Sequence, residues 1–221
     1  MKKLLFAATA LALVLYACQK TTEPPYQPPQ DVERRSVEPQ DITLDDTLDS
    51  TIKLASFNIQ IFGKSKREKT DVMQALTDIV SQYDIIAIQE VRDSTEETVP
   101  YFVERLNQAS GKAYASVTGQ RVGRSSSKEQ YAFIYDTSKI SYTGGSYTWK
   151  DTLDIFEREP FIAQFKAGNF DFVLANIHTK PADAKAEIMA LEQVLKDADE
   201  YFTDDNDVIV LGDYNLISPF E

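Results

Sequence analysis

The chain is poor in the two residue types that most often build reactive centres: among its 221 residues there is one cysteine, Cys18, and one histidine, His178. A single cysteine cannot close a disulfide within the chain, and its place near the N-terminus suits processing better than redox chemistry. Positive charge is also scarce. Lys and Arg number 23 against 35 Asp and Glu, a net charge of -12, which repels a polyanion at long range unless basic residues are concentrated locally and so argues against broad coating of nucleic acid. It leaves room for a small site where carboxylates hold a divalent cation that faces phosphate. Long apolar runs are missing too: the longest, residues 4–17, falls short of the ~20 residues that an ordinary membrane-spanning helix needs. What is present is 43% hydrophobic residues, enough for one core-bearing domain with short flanking segments.

Lys2 and Lys3 followed by residues 4–17 read as a secretory signal. Leu15-Tyr16-Ala17-Cys18 resembles a bacterial lipobox, so residues 1–18 are expected to be a lipoprotein signal peptide and Cys18 the acylated first residue of the mature chain. Gln19, where an aspartate would signal inner-membrane retention, points to the outer membrane or cell surface. Residues 19–50 carry Pro24, Pro25, Pro28, Pro29 and Pro39 among polar neighbours. That composition favours an extended tether, so the membrane is met through the lipid alone.

Folded pattern starts near Thr51. Ile52, Leu54, Phe57, Ile59 and Ile61 make an apolar-rich strand that ends at Gly63. Val72, Met73, Leu76, Ile79, Val80 and Tyr83 recur at helical spacing, and residues 84–88 read as a strand buried on both faces. Phe102, Val103 and Leu106 predict a second helix, and residues 131–135 a strand. Residues 161–165 and 170–177 predict a hairpin turning at Gly168-Asn169. Ile188, Leu191, Leu195, Ala198 and Phe202 stripe a third helix, and residues 208–211 predict another buried strand. The order implies an α/β (α+β) domain over residues 51–221, with a mixed sheet and helices outside it.

Polar residues stand where these strands end: Asn58, Glu90, His178, Asp213 and Asn215. Strand ends are where α/β proteins assemble sites. The strings around them are Ser56-Phe57-Asn58-Ile59, Ile88-Gln89-Glu90-Val91-Arg92-Asp93, Gly123-Arg124-Ser125 with Lys128-Glu129-Gln130-Tyr131, Arg158-Glu159-Pro160, Asn176-Ile177-His178-Thr179 and Gly212-Asp213-Tyr214-Asn215. In this order they resemble the endonuclease/exonuclease/phosphatase superfamily, and within it deoxyribonuclease I-like nucleases most of all. The resemblance implies a four-layer α/β/β/α sandwich of mixed sheets and a metal-dependent phosphodiester hydrolase acting on extracellular, double-stranded DNA as a monomer.

On that resemblance, Glu90, Asn58 and Asp213 would hold Mg²⁺ or Mn²⁺, with Ca²⁺ as a further candidate. His178 would protonate the leaving oxygen with Glu129 on its other ring nitrogen, and Asp213 and Asn215 would complete the catalytic set. Asn58, Arg92, Arg124 and Arg158 would bind substrate. A position that is tyrosine in several relatives is Ser127 here, which bears on groove preference.

The resemblance also implies a further quarter of domain beyond Asn215, with a Tyr-Asp-Arg-like segment and a Ser-Asp-His motif carrying a second histidine. The sequence ends at Glu221, so the expectation is a sandwich lacking its last strands, inactive or poorly folded. Two other functions stay open: a sphingomyelinase- or inositol-phosphatase-like phosphoesterase, and a catalytically dead surface lipoprotein.

Overall fold

The structure is a computed structural model that describes residues 51–126, 128–203 and 207–216. The expectations for the signal, Cys18, the tether and Ser127 lie outside these residues.

Two four-stranded mixed sheets face each other, each built from a continuous stretch of chain. The first contains β1 (Leu54–Phe62), β2 (Ile85–Val91), β3 (Tyr114–Thr118) and β4 (Gln130–Asp136) in the order β1-β2-β4-β3. The second contains β5 (Ser141–Thr148), β6 (Phe161–Ala167), β7 (Phe170–His178) and β8 (Val208–Asp213) in sequence order. Pairs β1/β2 and β7/β8 are parallel and the others antiparallel.

Helices α1 (Lys64–Arg67), α2 (Thr70–Val80) and α3 (Thr98–Ser110) join the strands of the first half, and α4 (Ala184–Tyr201) joins β7 to β8. Met73, Leu76 and Val80 of α2 with Phe102 and Leu106 of α3 pack on the outer face of the first sheet against Ile86, Ile88 and Ile134. Each such buried side chain contributes about 1.5–3 kcal/mol. Leu191, Val194 and Ala198 of α4 cover the second sheet on Ile162, Val173 and Ala175. Between the sheets lie Ile85, Ala87, Phe133, Phe165, Leu174 and Leu211. The result is the α/β/β/α layering that the sequence implied.

Three elements escaped the sequence pattern: α1, β3 and β5. One expectation is corrected. Residues 208–211 are not a strand buried on both faces, for Ile209 is 36% exposed and Val208 and Val210 are half-buried. The reason is position: β8 pairs only with β7 among the described residues, so it forms the margin of its sheet.

Candidate active site

Parallel pairing of β1 with β2, and of β7 with β8, sends the carboxyl ends of four strands to one rim. Asn58 and Glu90 come from the first pair, and His178 and Asp213, direct register partners, from the second. Glu129 reaches the same place because β4 runs antiparallel to β2, which brings its start beside the end of β2.

The side chains converge. One amide nitrogen, Asn58 Nδ2, donates to Glu90 Oε1 at 3.1 Å and to Asp213 Oδ2 at 2.8 Å. The Asn58 oxygen accepts the Gln60 N–H at 2.8 Å, and the Ile61 N–H donates to Glu90 Oε2 at 2.8 Å. His178 Nε2 lies 3.9 Å from Glu90 Oε1 and 3.9 Å from Asp213 Oδ2. Its Nδ1 is 2.8 Å from Glu129 Oε2. An ionised carboxylate only accepts, so Nδ1 carries the proton in the neutral ring and Nε2 faces Glu90 and Asp213.

The backbone is bent to make this possible. Ladder register breaks between Asn58 and Phe62 in β1 and between Ile88 and Val91 in β2. Gln60, Ile61, Glu90 and Asn215 take left-handed φ values of 42°, 51°, 60° and 44°. Each such residue costs roughly 1–2 kcal/mol, a strain that concentrates where a side chain must be aimed. Lys66 secures the β1 distortion by donating through Nζ to the carbonyls of Ile59 and Gln60. Two glycines permit close approach: a Cβ at Gly63 would strike the Arg92 carbonyl, and one at Gly212, where φ is 155°, the Ile177 carbonyl.

Glu129 is fully buried and organises the charges around it. Arg92 Nη2 bonds its Oε1 at 2.6 Å and Arg158 Nε lies 3.6 Å from its Oε2. Burial alone would raise its carboxyl, yet the His178 hydrogen bond, the Arg158 charge and the Arg92 hydrogen bond hold it below the usual range. Arg158 also donates to the carbonyls of His178 (3.0 Å) and Thr179 (3.2 Å). Buried Tyr131 accepts the His178 N–H at 2.9 Å. Asn215 donates to the Thr179 carbonyl at 2.7 Å, and its own N–H meets Asp213 Oδ1 at 3.1 Å.

The residues expected from sequence therefore divide. Asn58, Glu90, Glu129, His178, Asp213 and Asn215 form one cluster, with Arg92 and Arg158 held inside it by Glu129. Arg158 braces the backbone that carries His178, and only 11% of its side chain is exposed. Arg124 stands apart, paired with Asp154 at 2.9 Å and partly open to solvent. Tyr131, Lys66, Gln89 and Asn176 belong to the site's framework and were not singled out beforehand. The signal for the last two was there: each is an amide that ends an apolar run, residues 85–88 before Gln89 and 172–175 before Asn176.

Among the described residues no group of three or more His, Cys, Asp or Glu has metal-binding spacing. The donor set nonetheless fits a small hard cation. Glu90 and Asp213 direct carboxylate oxygens at a single point now bridged by the Asn58 amide, and Mg²⁺ is commonly held by one or two carboxylates with water completing its shell.

A profile of the Endonuclease/Exonuclease/phosphatase family matches residues 55–220. Deoxyribonuclease-1 of Gallus gallus is 37% identical over 174 residues, covering 75% of this chain and 61% of that protein. Deoxyribonuclease gamma of Homo sapiens is 35% identical over 173 residues, covering 74% and 56%. The chain thus spans less than two thirds of the length of these relatives. Among solved structures, an endonuclease/exonuclease/phosphatase family protein from Bacteroides thetaiotaomicron superposes with a TM-score of 0.52 at 19% identity, covering 75% of this chain and 62% of the other. The human Nocturnin catalytic domain gives 0.53 at 15%, covering 77% and 66%. These two likenesses speak for the fold, and the profile together with the ordered strand-end residues speaks for descent: the chain belongs to the endonuclease/exonuclease/phosphatase family.

Proposed function

We propose that the chain is a metal-dependent phosphodiesterase of deoxyribonuclease type, acting on double-stranded DNA as a monomer. The observation that carries this reading is the placement of His178, with Nδ1 on buried Glu129 and Nε2 3.9 Å from both Glu90 and Asp213. A phosphate oxygen at that rim would lie beside a proton donor and two carboxylates fit for a cation.

Glu90 and Asp213 would hold Mg²⁺ or Mn²⁺, and Asn58, whose amide nitrogen donates to both carboxylates, would orient them. When bound, such an ion stabilises negative charge on the phosphate. Protonated at both nitrogens, His178 presents the Nε2 proton to the leaving oxygen while Glu129 balances the Nδ1 proton. Glu129 also keeps Arg92 at the rim, where its guanidinium faces phosphate. Asn215 and Arg158 fix the loop after His178, so the imidazole does not swing. The net charge of -12 agrees with binding focused through a cation and a few arginines. Relatives named as deoxyribonucleases support DNA as the substrate. The Lys2-to-Cys18 pattern supports export and a lipid anchor at the outer membrane or cell surface, which labelling with a radioactive fatty acid would show for the parent and not for Cys18→Ala.

The test is conversion of supercoiled plasmid by the purified chain. Cleavage with Mg²⁺, its abolition by EDTA, and losses on the order of 10²–10⁴-fold in H178A and E90A are the expected results. Cleavage of sphingomyelin or inositol phosphates with no action on plasmid would replace the DNA reading, and activity undiminished in H178A would end it.

A further inference from the structure

The space between the sheets changes character in layers on the way to the site. Leu54 of β1, Ile85 and Ala87 of β2 and Phe172 and Leu174 of β7 belong to the apolar filling between the sheets. Strand alternation puts Ser56, Gln89 and Asn176 next on that face, and Asn58 and His178 follow one step further along β1 and β7. The middle layer is polar, with Ser56 open to solvent at its margin and Gln89 and Asn176 enclosed, both 0% exposed. Gln89 Nε2 donates to Asn176 Oδ1 at 2.7 Å and to Ser56 Oγ at 3.1 Å, and Asn176 Nδ2 donates to the Ile88 carbonyl at 3.1 Å. These bonds tie β1 and β2 of one sheet to β7 of the other. The arrangement is costly, because Gln89 Oε1 is buried with no partner and apolar side chains would fill the same space without an orphaned acceptor.

Resting on the phosphodiesterase reading above, we propose that the Gln89–Asn176 pair is a positioning device that sets the register between the two sheets, and so brings Glu90 and Asp213 to His178. Apolar surfaces attract without direction and tolerate sliding, whereas two amides joined at 2.7 Å do not. Gln89 immediately precedes Glu90 and Asn176 lies two residues before His178, so a slip at the pair passes directly to the residues that meet at 3.9 Å. A misplacement of about 1 Å costs on the order of 10²-fold in rate.

The test uses the full chain and the fact that His178 is its only histidine, so one set of imidazole proton resonances reports the site. Mn²⁺ bound at Glu90 and Asp213 broadens those resonances with a steep dependence on distance. The variant Q89L/N176L removes both amides and the orphaned acceptor together. It is expected to unfold at the parent's temperature or above, to bind Mn²⁺, to lose much of the His178 broadening, and to show a kcat lower by about 10²-fold with KM little changed. Should it fail to fold, Q89N/N176Q keeps the chemistry and total volume while moving the hydrogen bond, and the same loss of broadening is expected. Equal broadening in parent and variant overturns the positioning role and leaves the metal site standing. No broadening in the parent overturns the metal reading, and the positioning role with it.

Discussion

Replacing Glu129 by glutamine preserves the shape of a fully buried side chain and removes its charge. In the parent, Oε2 receives His178 Nδ1 at 2.8 Å, Oε1 receives Arg92 Nη2 at 2.6 Å, and Arg158 Nε stands 3.6 Å away. A glutamine has one acceptor oxygen, so its NH₂ must confront either the imidazole N–H or a guanidinium. Two cations then share the pocket with a neutral group. Loss of one partner from a buried ion pair costs roughly 3–5 kcal/mol, which for a domain of this size lowers Tm by about 6–20 °C.

The pH dependence has a definite sign. The Glu129 carboxyl is held below its ordinary value of 4.5, so between the folded and unfolded values the unfolded chain binds more protons and stability rises with pH. Its contribution is complete above pH 4.5 and disappears as pH falls through the folded value. Thermal unfolding followed by circular dichroism from neutral pH downward should show E129Q well below the parent at neutrality, with the gap narrowing in acid. Hydrolysis should fall on the order of 10²-fold or more, since the imidazole loses its orienting partner. A variant within about 1 kcal/mol of the parent, with an unchanged acid limb, would refute the assignment of Glu129 as the charge that organises the site.

Other substitutions probe separate links. Gly212→Ala places a methyl group against the Ile177 carbonyl at a φ of 155°, so it should shift Asp213 and weaken Mn²⁺ binding measured by calorimetry; unchanged affinity would argue against the tight approach. Tyr131→Phe removes the acceptor of the buried His178 N–H and should cost about 1–3 kcal/mol in urea unfolding. Asp93→Ala deprives the first turn of α3 of the acceptor for the N–H and hydroxyl of Thr98, which donate to Asp93 Oδ2 at 2.9 and 2.6 Å, a loss of about 0.5–2 kcal/mol. Burial opposes ionisation of Asp93, but bonds from Thr98 and Thr95 hold its carboxyl far below 3.8, so the deficit should persist from neutrality and close only below that pH. The sole tryptophan, Trp149, donates to Asp197 Oδ2 at 2.8 Å, and Asp197→Ala should shift its emission while leaving plasmid cleavage intact.

The central strands and α2–α4 were legible because their apolar spacing is a local property of the chain. β3 and β5 were not: Tyr114–Thr118 is half-buried with no clean alternation, and Ser141–Thr148 carries two adjacent glycines among polar residues. The exposure of β8 was illegible because composition reports how apolar a strand is and says nothing of what pairs with its far side. For the candidate site, ordered strings pointed to Asn58, Glu90, Glu129, His178, Asp213 and Asn215, which the structure brings together. Their contacts could not be read, since Asn58 and Asp213 meet across 155 residues of sequence. The arginines show the same limit. Nothing local distinguishes Arg158, enclosed beside His178, from Arg124, which holds the exposed Asp154.

Because β1–β4 occupy residues 54–136 and β5–β8 residues 141–213, the first half of the chain contributes Asn58, Glu90 and Glu129, and the second His178, Asp213 and Asn215. Neither half owns the chemistry. A cut in the short connection between β4 and β5 should yield two fragments that each lack the complete cluster, so that any hydrolysis the chain performs would return only when they reunite.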